Sequence, residues 1–347
     1  MNNNDFQNVM NEATRLARSG DLQAATAAIQ AALRGGALGP PGAKADVADV
    51  VDTIDIEARE VATPHARSQF VAGSFASKSD RRDYKLFIPA EFAGKPLPLV
   101  VMLHGCTQNP DDFAAGTAMN ELAQAQGFYV LYPAQSQQAN PQRCWNWFKH
   151  SHQQRGRGEP ALLAGMTRQM MAQHPIDPAR VYVAGLSAGG AMAAILGDTY
   201  PDLYAAVGVH SGLAAGAASD LPSALQAMQG NGGRGKASAQ HVPTIVFHGD
   251  ADATVHPRNG EHVAAASSAG GSGADVQQQQ PAGKRRSTLS VHRDAGGKVL
   301  AEHWLVHGAA HAWSGGSARG SYTDAQGPDA SAELLRFFLE HPRRAAK

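Results

Sequence analysis

The sequence has few of the features that mark membrane proteins, nucleic-acid-binding proteins or secreted proteins. Its 30 Lys and Arg residues balance 30 Asp and Glu residues, which removes the usual electrostatic basis for binding nucleic acid. The longest apolar runs, such as residues 97–103, are far shorter than the roughly 20 residues that cross a bilayer. The first residues carry neither the basic nor the apolar region of a secretory signal. We therefore expect a cytoplasmic protein with no transmembrane segment and no nucleic-acid partner.

Cysteine is scarce, since Cys106 and Cys144 are the only two among 347 residues. Without a visible secretory signal, the default expectation is a reducing compartment and two free thiols. No group of His and Cys residues has the spacing of a zinc site, so we expect neither a metal nor another cofactor. A chain of this length with 43% hydrophobic residues can bury a core large enough to fold without such supports.

The first 66 residues differ in pattern from the rest of the chain. Apolar residues recur every three or four positions in two runs that are separated by Gly20. This spacing predicts an N-terminal helical hairpin over residues 1–36. Residues 37–66, which begin with a Gly- and Pro-rich stretch, are predicted to be a linker. The hairpin is either an accessory element docked on the main domain or a surface that binds a partner.

From residue 67 onward, apolar β-rich runs alternate with amphipathic segments. This alternation predicts a mostly parallel sheet covered by helices on both faces, that is, one α/β domain over residues 67–347. Within it, the Ala-, Ser-, Gly- and Gln-rich residues 264–286 are predicted to form a mobile surface loop. The predicted strands cover residues 69–77, 83–89, 97–104, 128–132, 180–185, 206–210, 244–248 and 299–306, and the predicted helices cover residues 113–126, 160–174, 188–200 and 330–340.

The strongest local motif is Gly185-Leu-Ser187-Ala-Gly189, which follows a predicted strand and opens a predicted helix. A strand that reverses into a helix within a few residues needs small neighbours around a strained turn, and it exposes the serine Oγ. The helix N-terminus also directs backbone N–H groups towards a reacting oxygen. This context is typical of a nucleophile elbow, with Ser187 as the nucleophile.

A serine nucleophile needs a base to take its proton and an acid to orient that base. In α/β-hydrolases the acid and then the histidine follow the serine along the chain. His311 lies in a loop between the last predicted strand and the closing helix, so it is the predicted base. Asp250 and Asp252 both follow the strand over residues 244–248, and either is able to reach a histidine. Hydrolases with the pattern His-Gly-x-x-Asp-x-x-Val use the aspartate of that pattern, which favours Asp252.

Acyl transfer also needs hydrogen-bond donors for the oxyanion that develops on the carbonyl. One predicted donor is the backbone N–H of Ala188, beside the nucleophile. The other is the backbone N–H of Cys106, because His104-Gly105-Cys106 follows the strand over residues 97–103 and small Gly105 lets the backbone approach. His104 is assigned to the same oxyanion hole and is predicted to brace this loop by hydrogen bonding.

Five motifs in this order resemble the poly(3-hydroxybutyrate) depolymerase esterases, a family that also contains feruloyl and acetylxylan esterases. They are His-Gly-Cys-Thr-Gln, Cys-Trp-Asn-Trp-Phe, Gly-Leu-Ser-Ala-Gly-Gly, His-Gly-x-x-Asp and Gly-x-x-His-Ala-Trp, and the match covers about residues 67–342. The resemblance implies an α/β-hydrolase fold with the catalytic order of the type I depolymerases. Secreted depolymerases also carry a signal peptide and a polymer-binding domain. This chain shows neither, and in that it resembles the intracellular depolymerases.

The resemblance also implies a carboxylic ester hydrolase that cleaves poly- or oligo(3-hydroxybutyrate) esters through an acyl-enzyme. A polyester or oligoester is then the expected partner, in the cytoplasm or at the surface of a polymer granule. A feruloyl or acetylxylan esterase with the same catalytic residues is the first alternative. An adaptor protein that binds granules through its N-terminal hairpin is the alternative from another class.

Aromatic residues make up only 6% of the chain, yet several lie beside the motifs. Trp145, Trp147 and Trp313 are predicted to form an apolar wall that contacts the acyl chain, with core packing as the alternative. Cys106 and Cys144 also follow strands whose C-terminal ends lie at one edge of the sheet. We therefore predict that the two sulfurs lie close enough for a disulfide, and we leave their oxidation state open.

Overall fold

The predicted N-terminal hairpin, on which the adaptor hypothesis depends, and the predicted linker lie outside the described residues. Among the residues described, no helix is both long enough and apolar enough to cross a lipid bilayer. The computed structural model describes residues 67–77, 80–90, 95–233, 242–269 and 271–343.

Ten of the described strands form one mixed sheet. They are β1 (Gln69–Ala76), β2 (Arg81–Ile88), β3 (Leu97–Leu103), β4 (Tyr129–Pro133), β5 (Ile176–Leu186), β6 (Ala206–His210), β7 (Thr244–Gly249), β8 (Ala274–Gln279), β9 (Ser287–Arg293) and β10 (Val299–Val306). Their spatial order is β1-β2-β4-β3-β5-β6-β7-β10-β9-β8. The strands from β4 to β10 in that order are parallel, and antiparallel pairs lie at both ends. A separate short pair is formed by β11 (Trp313–Ser314) and β12 (Thr323–Asp324).

Helices cover both faces of the sheet, as the sequence predicts. They are α1 (Pro110–Thr117), α2 (Met119–Gln126), α3 (Gly158–Gln173), α4 (Ala188–Thr199), α5 (Leu221–Gln226), α6 (Arg258–Ser267) and α7 (Ala330–Glu340). Every residue of β3 is buried, because its side chains alternate between the two faces. Leu99 and Val101 pack in the core with α3, α4 and α6, whereas Val100 and Met102 pack in the core with α1, α2 and α7.

Two predictions about individual elements are wrong. The helix predicted over residues 113–126 is two helices, because Ala118 between α1 and α2 adopts a left-handed φ of 52°. The mobile loop predicted over residues 264–286 contains the end of α6 and the strand β8, which pairs with β9. β8 lies at the edge of the sheet with most of its side chains exposed, so a polar composition suits it. Composition alone does not distinguish such an edge strand from a loop.

The order of the strands defines where a site can form. The chain leaves β3 for β4 on one side and then crosses to β5 on the other side of β3. Such a reversal opens a crevice at the carboxyl ends of the two neighbouring strands, which is where ligands bind in open α/β sheets. The loop after β3 and the turn after β5 both begin at this crevice.

Candidate active site

Ser187 occupies a strained turn between β5 and α4, with φ 58° and ψ −119°. A positive φ is uncommon for a residue with a side chain and costs energy that the surrounding structure must offset. The backbone N–H of Ser187 donates to the carbonyl of His210 at 2.9 Å, which ties the turn to the end of β6. This places the hydroxyl of the candidate nucleophile at the crevice between β3 and β5.

The two glycines of the turn are required by close approach of the backbone. A Cβ on Gly189 would lie 2.0 Å from the carbonyl oxygen of Leu103, and a Cβ on Gly185 would lie 2.4 Å from the carbonyl carbon of Gly189. The obstructing atoms belong to the backbone and cannot rotate aside. The steric requirement for glycine that the sequence predicts is therefore confirmed.

The structure brings together the predicted acid and base. Nδ1 of His311 and Oδ2 of Asp252 are 2.7 Å apart, in the loops that follow β10 and β7. The Asp252 side chain is fully buried, and its Oδ1 accepts the backbone N–H groups of Thr254 and Val255 at 2.9 and 2.8 Å. Burial alone would raise the pKa of Asp252, but hydrogen bonds from His248 and His311 hold it far below its usual range. An ionised carboxylate only accepts hydrogen bonds, so Nδ1 of His311 carries a proton.

A second Asp–His pair lies close to the first. Oδ2 of Asp250 is 2.7 Å from Nδ1 of His307, and Nε2 of His307 is 2.8 Å from Oγ1 of Thr288. Both ring nitrogens of His307 are engaged, so none is available to accept a proton from a nucleophile. The geometry therefore favours Asp252 over Asp250. Neither pair belongs to a group of three His, Cys, Asp or Glu side chains that would hold a metal ion in the described part of the chain.

No hydrogen bond joins the side chains of Ser187 and His311 in the described part of the chain. Within the described part of the chain, neither Oγ of Ser187 nor Nε2 of His311 forms a hydrogen bond. Contacts of this kind are often long in unliganded sites and tighten only when substrate binds. Nε2 of His311 is thus the ring nitrogen available to a proton from the serine.

His210, which the sequence analysis did not single out, links the serine turn to the histidine loop. Its carbonyl accepts the N–H of Ser187, and its Nε2 accepts the backbone N–H of Ser314 at 2.9 Å. Its ring stacks on Trp313, with 5.0 Å between the centroids. Burial lowers the pKa of His210 to about 3, so the ring is neutral and its Nε2 can accept a hydrogen bond. The end of β6 therefore holds both loops in register.

The backbone N–H groups of the two predicted oxyanion donors have no acceptor among the described residues. Ala188 is the first residue of α4 and Cys106 lies in the loop after β3, and neither donates its N–H to another described residue. His104 acts on this loop as a brace: Nδ1 donates to the Gly105 carbonyl at 2.8 Å, and Nε2 accepts the Gln135 N–H at 3.1 Å. Burial lowers the pKa of His104 to about 4. With both ring nitrogens engaged, the His104 ring cannot itself donate to an oxyanion.

Gln135, which contacts His104, also contacts the buried carboxylate of Glu159, which the sequence analysis did not identify. Nε2 of Gln135 donates to the carbonyl of Cys144 at 2.9 Å and to Oε1 of Glu159 at 2.5 Å. Glu159 also accepts the backbone N–H and the side-chain amide of Asn146, each at 2.7 Å. Burial would raise the pKa of Glu159, but hydrogen bonds led by those from His152 and Gln135 bring it below its ordinary value. A lone Glu in the first turn of a helix carries no sequence signal for such a role.

Cys106 and Cys144 form a disulfide, with 4.2 Å between their Cα atoms. The predicted proximity of the two sulfurs is confirmed, and the default expectation of two free thiols is wrong. The bond joins the loop after β3, which carries the candidate oxyanion donor, to the loop after β4. It therefore restrains the backbone on the side of the crevice opposite the serine turn.

The prediction that Trp145, Trp147 and Trp313 form an apolar wall is wrong, because their rings are buried. Trp145 and Trp313 are 0% and 1% exposed, and Trp147 is 5% exposed. The indole N–H of Trp145 donates to the carbonyl of His104, and that of Trp313 donates to Oγ of Ser331, each at 3.1 Å. Large rings whose polar atom has an internal partner are stably buried. These residues are part of the core beneath the site.

The serine turn after β5, the aspartate after β7 and the histidine after the last parallel strand are arranged as in the α/β-hydrolases. The acetyl xylan esterase from Aspergillus awamori shares this fold, with a TM-score of 0.61 at 18% identity over 77% of this chain and 98% of that one. The chain belongs to the esterase PHB depolymerase family, whose family model matches residues 82–286.

Curated proteins that resemble this chain include both depolymerases and acetylxylan esterases. Poly(3-hydroxyalkanoate) depolymerase C from Paucimonas lemoignei is 38% identical over 175 residues, which cover 47% of this chain and 42% of that protein. A probable acetylxylan esterase A from Neosartorya fischeri is 30% identical over 193 residues, which cover 50% of this chain and 51% of that protein. The chain thus spans about half the length of these curated relatives.

Proposed function

We propose that the protein is a serine esterase that hydrolyses poly- or oligoesters of short-chain 3-hydroxyalkanoates. The observation that carries the proposal is the Asp252–His311 hydrogen bond at the same edge of the sheet as the strained Ser187 turn. Membership of the esterase PHB depolymerase family supports ester hydrolysis. The 38% identical depolymerase supports a polyester as the substrate class.

In the proposed reaction, Nε2 of His311 takes the proton of Ser187 as the serine oxygen attacks the ester carbonyl. The ionised Asp252 holds the Nδ1–H and stabilises the imidazolium that forms. The N–H groups of Ala188 and Cys106 donate to the oxyanion of the tetrahedral intermediate. His311 then returns the proton to the departing alcohol. A water molecule, activated by the same histidine, hydrolyses the acyl-enzyme and frees the serine.

The first test is Ser187→Ala, measured by hydrolysis of p-nitrophenyl acetate. We expect kcat to fall by several orders of magnitude, because the three residues act as one unit. Ser74→Ala on the exposed face of β1 is the matched control and should behave as the wild type. Hydrolysis that survives in Ser187→Ala at the wild-type rate would show that the proposed nucleophile is wrong.

The second test concerns the substrate, because the acetylxylan esterase relative favours a carbohydrate ester as the alternative. Amorphous poly(3-hydroxybutyrate), acetylated xylan and methyl ferulate are incubated separately with the protein, and the released acids are identified by mass spectrometry. We expect 3-hydroxybutyrate or its short oligomers from the polyester. Release of only acetate or only ferulate would assign the protein to the alternative activity.

The cytoplasmic or granule-bound location stays a prediction. The Cys106–Cys144 disulfide weighs against it, because structural disulfides persist mainly in oxidising compartments. Cell fractionation with thiol labelling of the native protein separates the two locations. Recovery of labelled, reduced protein with cytoplasmic granules supports the prediction, whereas disulfide-bonded protein in the culture medium contradicts it.

A further inference from the structure

Two strained residues face each other across the rim of the candidate active site. Thr107 has a φ of 67° and Tyr322 has a φ of 52°, and both side chains are exposed. A β-branched residue and an aromatic residue rarely adopt this left-handed conformation, and such outliers concentrate at ligand-binding sites.

The two side chains are joined by a hydrogen bond whose direction is determined. The Thr107 hydroxyl donates to the carbonyl of Cys106 at 2.6 Å, so its proton is already used. The Tyr322 hydroxyl is 3.1 Å from Oγ1 of Thr107 and is therefore the donor. This contact bridges the loop after β3 and the segment that follows the histidine loop.

The bridge joins two segments that are next to candidate site residues in the chain or by a backbone hydrogen bond. Thr107 is the residue after Cys106, whose N–H is a proposed oxyanion donor. The carbonyl of Tyr322 accepts the N–H of Trp313 at 2.7 Å, two residues after His311. The ring of Tyr322 is thus held between the two loops that must flank an ester bound at Ser187.

The segment that carries Tyr322 is firmly anchored. The backbone N–H of Ser321 donates to Oδ1 of Asp112 at 2.8 Å, and the Ser321 hydroxyl donates to Oδ2 of the same carboxylate at 2.5 Å. Nε2 of Gln108, in the loop after β3, also donates to Asp112, at 2.9 Å. A ring on such a support loses little conformational freedom when a ligand covers it.

Tyr322 is also unusual in its exposure. It is 47% exposed and is the one aromatic residue among the large exposed apolar side chains of the described part of the chain. The tryptophans near the site are buried and offer no surface to a ligand. Tyr322 therefore offers an exposed aromatic ring beside the loop that carries Thr107.

We propose that Tyr322 binds substrate, and that its ring contacts the part of an aliphatic oligoester beyond the bond that is cleaved. The inference rests on the proposed esterase function. It adds that Tyr322 makes the protein bind long esters more tightly than short ones. A short ester fills only the space at Ser187, whereas an ester of several hydroxyacyl units extends to the rim. The ring then covers apolar surface that would otherwise face water.

The experiment compares a trimeric 3-hydroxybutyrate ester with p-nitrophenyl acetate in steady-state kinetics. Tyr322→Gly removes the ring and relieves the backbone strain, because glycine accepts a positive φ. Tyr322→Phe keeps the ring and removes the hydroxyl that bridges to Thr107. Leu339→Ala, on α7, is the control, since Leu339 is 42% exposed and is not part of the site. Thermal melts show that each variant is folded.

We expect Tyr322→Gly to raise KM for the trimer about tenfold more than KM for p-nitrophenyl acetate, with a smaller effect on kcat. Tyr322→Phe should keep a trimer KM much closer to that of the wild type, and Leu339→Ala should match the wild type. An equal change in KM for both esters, or no change, would overturn the role of Tyr322. A wild type that hydrolyses p-nitrophenyl acetate but not the trimer also contradicts this inference and leaves the esterase standing. A wild type that hydrolyses neither ester contradicts the proposed function itself.

Discussion

Two aspartates that stand two positions apart have different surroundings and different partners. The Asp252 side chain is fully buried and receives hydrogen bonds on both carboxylate oxygens. The Asp250 side chain is 37% exposed, and the histidine that it contacts is engaged on its other nitrogen by Thr288. Only Asp252 therefore orients a histidine that still has a ring nitrogen available for proton transfer.

Asp252→Asn is expected to lower kcat by about 10²–10⁴, because asparagine neither stabilises an imidazolium nor selects the productive tautomer. Asp250→Asn should retain most of the wild-type kcat, since the Asp250 pair takes no part in the proposed reaction. The measurement is kcat/KM on p-nitrophenyl acetate for both purified variants, with thermal melts as the control for folding. Loss of activity in Asp250→Asn together with retention in Asp252→Asn would reassign the acid.

Elements position the site through close contacts between backbones. α4 begins against the carbonyl ends of β3, and only a residue without a Cβ fits at Gly189. On the other side of the crevice, the loop after β3 is held by a disulfide, by the His104 brace and by the Thr107 N–H, which donates to the Gln142 carbonyl at 2.6 Å. The crevice thus lies between the tightly packed turn that joins β5 to α4 and the loop after β3, which is held by several contacts.

Gly189→Ala should destabilise the protein and impair the site together. Its Cβ would overlap the Leu103 carbonyl, so α4 must shift, which we expect to cost about 2–3 kcal/mol of unfolding free energy. A displaced serine should lower kcat at least about tenfold. Gly233→Ala is the matched control, since nothing lies within 4 Å of its added Cβ. Urea denaturation and kcat are measured for both variants, and equal effects would show that the turn is not constrained as described.

Cys144→Ser tests the disulfide that holds the loop after β3, which carries the proposed oxyanion donor Cys106. Opening a bridge between residues 38 positions apart should cost about 3–4 kcal/mol of stability, because the unfolded chain regains freedom. Loss of an oxyanion donor costs about 10²–10³ in kcat, and the loop keeps its other tethers, so we expect a decrease below that range. Melting temperature and kcat are compared for the variant and the wild type, each with and without reductant. Identical values in all four samples would show that the bridge affects neither stability nor the site.

Three histidines that do not transfer protons in the proposed reaction are buried in the fold, and their titration affects the stability of the whole molecule. Burial lowers the pKa of His104 to about 4 and those of His210 and His303 to about 3. In an unfolded chain the pKa of a histidine is about 6.5. Between these values the unfolded chain binds more protons than the folded one. The stability due to the neutral rings is therefore fully present above about pH 6.5 and is lost as the pH falls towards 4 and 3.

The free energy of unfolding should fall on acidification by up to about 1.4 kcal/mol per pH unit for each of these histidines. Urea denaturation at several pH values between about 7.5 and 5 measures the slope. His303→Leu should reduce that slope by up to about 1.4 kcal/mol per pH unit, because the ring of His303 is buried with Nε2 lacking a partner among the described residues. A slope that does not change in this variant would contradict a buried neutral His303.

Much of the architecture could be predicted from patterns that extend over a few residues. The alternation of apolar strands and amphipathic helices indicated the mostly parallel sheet, and the glycines around Ser187 indicated the turn after β5. Glu159 and Gln135 could not be found in this way, since their role depends on contacts between the loop after β4 and the start of α3. The same holds for Tyr322, whose partner Thr107 is 215 positions away in the chain.

The sequence by itself determined the alternation of strands and helices that gives the mostly parallel sheet and the need for small residues beside Ser187, because near neighbours decide both. It left the choice between Asp250 and Asp252 open until a family pattern was added. Only the tertiary structure decided that Asp252 meets His311, that Cys106 is bonded to Cys144 and that the site tryptophans are core residues. These outcomes depend on which strand ends become neighbours, and strand order is set by packing across the whole sheet.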